Sequence, residues 1–86
     1  MRRTGPTDEQ IIQAFKGTDF GPEINESVSN KKLLIAAALF KRVCDYGDGS
    51  TITRIIEDLG LVSARSGCPF IFALRWAYRI LIPPNY

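Results

Sequence analysis

A chain of 86 residues, 45% hydrophobic and 23% charged, reads as one small globular domain over residues 1–86 and not as a disordered segment. Its net charge of +2 is too small to argue for nucleic-acid binding by itself, and with no histidine there is no Ser-His or Cys-His pair for covalent catalysis. Two distant cysteines, Cys44 and Cys68, are too few to hold zinc, and the most apolar stretch, Phe70 to Ile82, is shorter than the ~20 residues a membrane span needs.

The charge is unevenly placed. Asp8, Glu9, Asp19, Glu23 and Glu26 lie in the first thirty residues, whereas no acidic side chain follows Asp58 and Arg65, Arg75 and Arg79 do. An acidic front and a basic back can polarise a surface. Behind Met1–Pro6 there is no apolar stretch of the kind a secretory signal carries, so the expectation is a reducing cytosol. Both cysteines are then expected as free thiols acting as small apolar side chains.

Thr7 to Gln10 has the form of a capping box that opens a first helix. Ile11, Ile12, Ala14 and Phe15 are expected on its inner face, with Gly17 ending it. Thr18–Pro22 reads as a loop from which Phe20 anchors to the core. Asn25 or Ser29 could cap the second helix, whose start is expected within a few residues of Ser27. Leu33 to Phe40 is apolar on every side, which predicts a central helix buried all round and running through Cys44 to Tyr46 before Gly47. Asp45–Ser50 is a turn. It lacks the glycine and the glutamate that a calcium loop requires.

A third helix follows, with Ser50 or Thr51 expected to cap it. Ile52, Ile55, Ile56 and Leu59 recur at helical spacing and form one buried stripe. Gly60 suits a left-handed stop and Leu61 can fold back onto the stripe, as in the first half of a helix-turn-helix or winged-helix unit. Residues 61–68 admit two readings, a short β wing tipped by Arg65-Ser66-Gly67, or a loop. Pro69 is expected at the first position of a last helix, which carries Phe70, Phe72, Trp76, Ile80 and other apolar residues and stops at Pro83-Pro84. The fold class is therefore mainly α, about four helices with a helix-turn-helix-like middle.

Two fragments, Thr7 to Gly21 and Gly49 to Leu61, resemble small accessory proteins of bacteriophages and prophages with a winged-helix-like core. The resemblance covers about a third of the chain. It implies a bacterial host cytoplasm and a regulatory role on DNA. In such relatives the final helix tends to open on a Thr-x-x-Gly step; this chain departs from that with Pro69-Phe70-Ile71-Phe72-Ala73.

Two functions follow, neither of them enzymatic and neither using a cofactor or metal. The first is a small DNA-binding regulator. Lys31, Arg42, Thr51, Thr53, Arg54, Arg65, Arg75 and Arg79 are its candidate contacts, drawn from a basic set that also includes Lys41. Lys31 and Arg42 return to nearly one helix face about 16 Å apart along the axis. Thr51, Thr53 and Arg54 flank a helix start that attracts phosphate, and Arg65 would enter a groove if the wing forms. The second is a phage-type interaction module that binds and modulates a host protein through Arg75, Tyr78, Arg79 and Tyr86. An apolar strip left on the last helix would permit a homodimer in either case.

Overall fold

The computed structural model describes residues 5–18, 20, 27–44 and 49–82. Four helices carry these residues: α1 Asp8–Phe15, α2 Val28–Val43, α3 Ser50–Asp58 and α4 Ile71–Leu81. The mainly α fold class is as the sequence predicts. α2 is the axis of the domain: α1, α3 and α4 all pack on it, α4 most extensively.

The capping box of α1 forms as expected. Thr7 Oγ1 accepts from the Gln10 amide at 3.2 Å, and Gln10 Oε1 accepts from the Thr7 amide at 2.9 Å. Ile11 and Phe15, four residues apart, are buried, but Ile12 lies a third of a turn away and is exposed. Phe20 sits against the core with its ring 5.4 Å from that of Phe15. Ser27 caps α2, its hydroxyl accepting from the Asn30 amide at 3.2 Å. Ser29 therefore lies inside the helix, and Asn25 falls outside the described residues.

α2 is not buried all round. Ile35, Ala36, Ala38 and Leu39 are buried, whereas Leu33 and Val43 are exposed. Three short helices cannot enclose a sixteen-residue rod on every side, so its apolar surplus faces outward. The helix ends at Val43 with Cys44 as its cap; the expected continuation through Tyr46, and most of the turn that follows, lie outside the described residues. Cys44 and Cys68 are both free and both exposed, so neither packs as the small apolar side chain expected of it. Ala36 and Ala38 of α2 and Ala73 and Ala77 of α4 are all buried, and α2 and α4 are the most extensively packed pair of helices.

Ile52, Ile55 and Ile56 turn inward from α3 as their spacing requires, with Leu59 half-buried beside them. Gly49, not Ser50 or Thr51, is the cap residue, and it offers no side-chain acceptor. The other end closes on Gly60 at φ +70. The Gly60 amide donates to Glu57 O and the Leu61 amide to Ile56 O, both at 3.0 Å, which is the paired-bond Schellman closure. Leu61 then enters the core at 1% exposure.

No helix follows this reversal directly. Val62 and Pro69 form an isolated antiparallel bridge, flanked by Phe70 N–H to Leu61 O at 3.0 Å and Ser63 N–H to Cys68 O at 2.9 Å. Val62 and Pro69 are thus the pair that exchanges no hydrogen bonds, so the missing proline N–H leaves no gap in the ladder. Pro69 belongs to this bridge, and Phe70 is the cap residue of α4, which corrects the expected helix start. Residues 61–68 accordingly form a pinned loop whose Ala64, Arg65 and Ser66 are exposed. Ahead of α1, Gly5 lies directly on the Trp76 ring, and a methyl group there would overlap the indole.

Three substitutions test these constraints, the first two by urea unfolding and the third by fluorescence. Ile56→Val should lower stability by about 0.5–1.5 kcal/mol through lost core packing. Gly60→Ala should lower it by about 1–2 kcal/mol, entirely from backbone strain, because no atom lies within 4 Å of the added methyl. Gly5→Ala should change the emission of Trp76, the single tryptophan, while the helical circular dichroism stays near wild type.

Candidate nucleic-acid interface

Burial of the isoleucine stripe turns the remaining face of α3 to solvent. That face carries Ser50, Thr51 and Arg54 in the first turns, and Glu57 and Asp58 in the last. With Gly49 at the cap, no side chain occupies the first amides of the helix, which carry the positive end of its dipole.

Two clefts meet at this helix start. One, between the end of α1 and α3, is lined by Lys16, Gly17, Thr18, Ser50, Thr51, Arg54 and Asp58 among others. The other, toward α2, is lined by Lys41, Gly49, Ser50 and Thr51 over an apolar floor that includes Phe20 and Leu34. Three cations therefore stand around the hydroxyls of Ser50 and Thr51. Glu57 and Asp58 confine this positive region to the first half of α3. Such a combination of free amides, hydroxyls and long cationic side chains suits phosphate oxygens.

The predicted contacts divide into three groups. Thr51, Arg54 and Arg65 are exposed, the first two at the α3 start and the third at the tip of the pinned loop. Lys31, Arg42 and Thr53 are engaged inside the protein. Lys31 is 6% exposed, with its ammonium 5.9 Å from the centre of the Phe15 ring, so it offers no charge to a partner at the surface. Arg42 Nη2 donates to Thr53 Oγ1 at 2.9 Å, and a methyl group on Gly67 would lie 3.5 Å from Arg42 Nη1. Arg42 is thus a strut joining the end of α2 to α3 and to the pinned loop. The helical face expected to bring Lys31 and Arg42 together is the face that meets the rest of the domain. Arg75, Arg79 and Tyr78 are exposed on α4, and Tyr86 lies outside the described residues.

Lys16 and Ser50 were not legible as site residues, and Lys41 was legible only as one more basic side chain. Lys16 reaches the site because α1 packs against α3, a contact with no periodic signature along the chain. No described helix is long and apolar enough to cross a membrane.

The strut has a measurable signature. In a double-mutant cycle with Arg42→Met and Thr53→Val, unfolding should give a coupling energy of about 1 kcal/mol, while Arg54→Ala should stay within about 0.5 kcal/mol of wild type. No protein-family model, curated protein or solved structure matches the chain. Its functional reading rests on what these side chains can bind.

Proposed function

We propose that the protein is a small DNA-binding regulator that presents the start of α3 to the phosphate backbone. The observation that carries this reading is the meeting of Lys16, Lys41 and Arg54 around the uncapped amino end of α3, through clefts that share Ser50 and Thr51. The order of elements supports it. In a winged-helix unit two packed helices precede a hairpin, the second helix reads DNA and the hairpin reaches alongside. Here α2 and α3 take the place of the helix pair. The pinned loop, with Arg65 exposed at its tip, takes the place of the wing. α3 is then the second helix of the unit, not the first.

Phosphate contacts dominate this interface, with few base-edge contacts. Beyond Ser50, Thr51 and Arg54, the outward side chains of α3 are the carboxylates of Glu57 and Asp58, which repel the phosphate backbone and can accept only from bases. Weakly specific, salt-sensitive binding follows, with DNA shape supplying much of any preference. A prophage setting, with the bacterial cytoplasm as the working compartment, belongs to the same proposal and rests on the two resembling fragments.

Fluorescence anisotropy with a labelled duplex tests it. Affinity should fall linearly on a log-log plot against salt, and Lys16→Ala and Arg54→Ala should each reduce the slope by about 1. Thr51→Asp separates binding from folding. A carboxylate in the first turn should leave stability unchanged or slightly raised, since it complements the helix dipole, while binding falls at least tenfold. Salt-independent binding, or unchanged affinity in Thr51→Asp, would contradict the proposal.

A further inference from the structure

A second surface, on α4, is built for different chemistry. Phe40 of α2 and Ile71, Leu74, Arg75, Tyr78 and Arg79 of α4 line a groove of about 370 Å³. Ile71 is 71% exposed and Tyr78 55%, far more than an isolated domain needs to leave in water. Ile71, Tyr78 and Ile82 are spaced at i, i+7 and i+11, so they form one stripe along α4. Val43, 55% exposed, lies one turn beyond Phe40 and prolongs the apolar wall on α2.

The charge on this groove selects its occupant. Arg75 and Arg79, one turn apart, lie to the same side of the stripe, and neither makes an ion pair among the described residues. Among the described residues no acidic side chain lines the groove, and the sequence contains none after Asp58. We infer that the groove docks an amphipathic helix of a partner protein whose apolar anchors are edged by Asp or Glu. Apolar anchors spaced one turn apart would fill the space between Phe40, Leu74 and Tyr78, and carboxylates on the flank would accept from the two guanidinium groups. A second copy fits less well. In an antiparallel pair related by a twofold axis across α4, the arginine edge of one copy faces the arginine edge of the other, and like charges oppose the contact. Nucleic acid fits the arginines but leaves the apolar stripe in water. This inference stands apart from the DNA-binding proposal, since it concerns another face and another ligand.

Two labelled helical peptides test it against the full chain by fluorescence anisotropy. Both carry leucines at i, i+3 and i+7; one is edged by glutamates at i+4 and i+8, the other by lysines at the same positions. The glutamate peptide should bind at least tenfold more tightly than the lysine peptide, and the double variant Arg75→Glu/Arg79→Glu should invert that order. Tyr78→Ala should weaken the glutamate peptide at least fivefold, with the helical circular dichroism unchanged. Equal affinity for the two peptides, or no binding of either, would overturn the inference. So would displacement of the glutamate peptide by duplex DNA or by anionic lipid vesicles. Light scattering that shows a dimer, converted to monomer by Ile71→Asp, would assign the groove to self-association instead.

Discussion

The inward stripe of Ile52, Ile55 and Ile56, closed off by the reversal at Gly60, is the constraint on which the rest of the structure depends. Three isoleucines on a nine-residue helix leave it only one orientation against α2. A helix so short has little stability of its own, so burial of this stripe holds it. The hydrogen bonds from the Gly60 and Leu61 amides to the Glu57 and Ile56 carbonyls then turn the chain back, and Leu61 and Val62 extend the same core. The loop that follows is pinned because its first arm is already buried, and α4 starts where the Leu61–Phe70 bond places it. Moving the stripe would move the helix start, the loop tip and α4 together.

Orientation also decides which polar groups are free to act. With its isoleucines inward, α3 shows water an amino end without a side-chain cap, two hydroxyls and Arg54. The approach of α1 and α2 adds Lys16 and Lys41. Arg42 and Thr53, near the same junction, hold it together through their mutual hydrogen bond. The salt bridge from Lys32 to Asp8, at 2.7 Å, links α1 to α2 but is open to solvent and contributes little. Basic side chains in this domain thus serve two ends: those at packed junctions fix geometry, and those around helix starts and loop tips are available to a ligand.

Much of the architecture was legible in local patterns. The Thr7–Gln10 capping box, the isoleucine spacing and the glycine stop at Gly60 each depend on residues within one or two turns, and each forms as those residues dictate. What depended on distant contacts was less legible. Val62 and Pro69 pair across a loop, which sequence spacing left open between wing and loop and which moves the α4 start to Ile71. The exposure of Leu33 and Val43 depends on how much surface three neighbours can cover, and the burial of Lys31 on the place of the Phe15 ring. The candidate site shows the same division. Thr51, Arg54 and Arg65 could be found from their places in local elements. Lys16 joins them only after folding, and Lys31, Arg42 and Thr53 are drawn inward by packing that no short-range rule encodes.

The most direct test of the account is a titration of ¹⁵N-labelled protein with a short duplex, followed amide by amide by NMR. Shift changes should centre on Gly49 to Arg54, extend to Lys16, Thr18 and Arg65, and leave the Ile71–Arg79 face of α4 unmoved. Changes confined to α4, or none at all with a duplex at low salt, would contradict the claim that the outward start of α3 is the surface this fold is built to present.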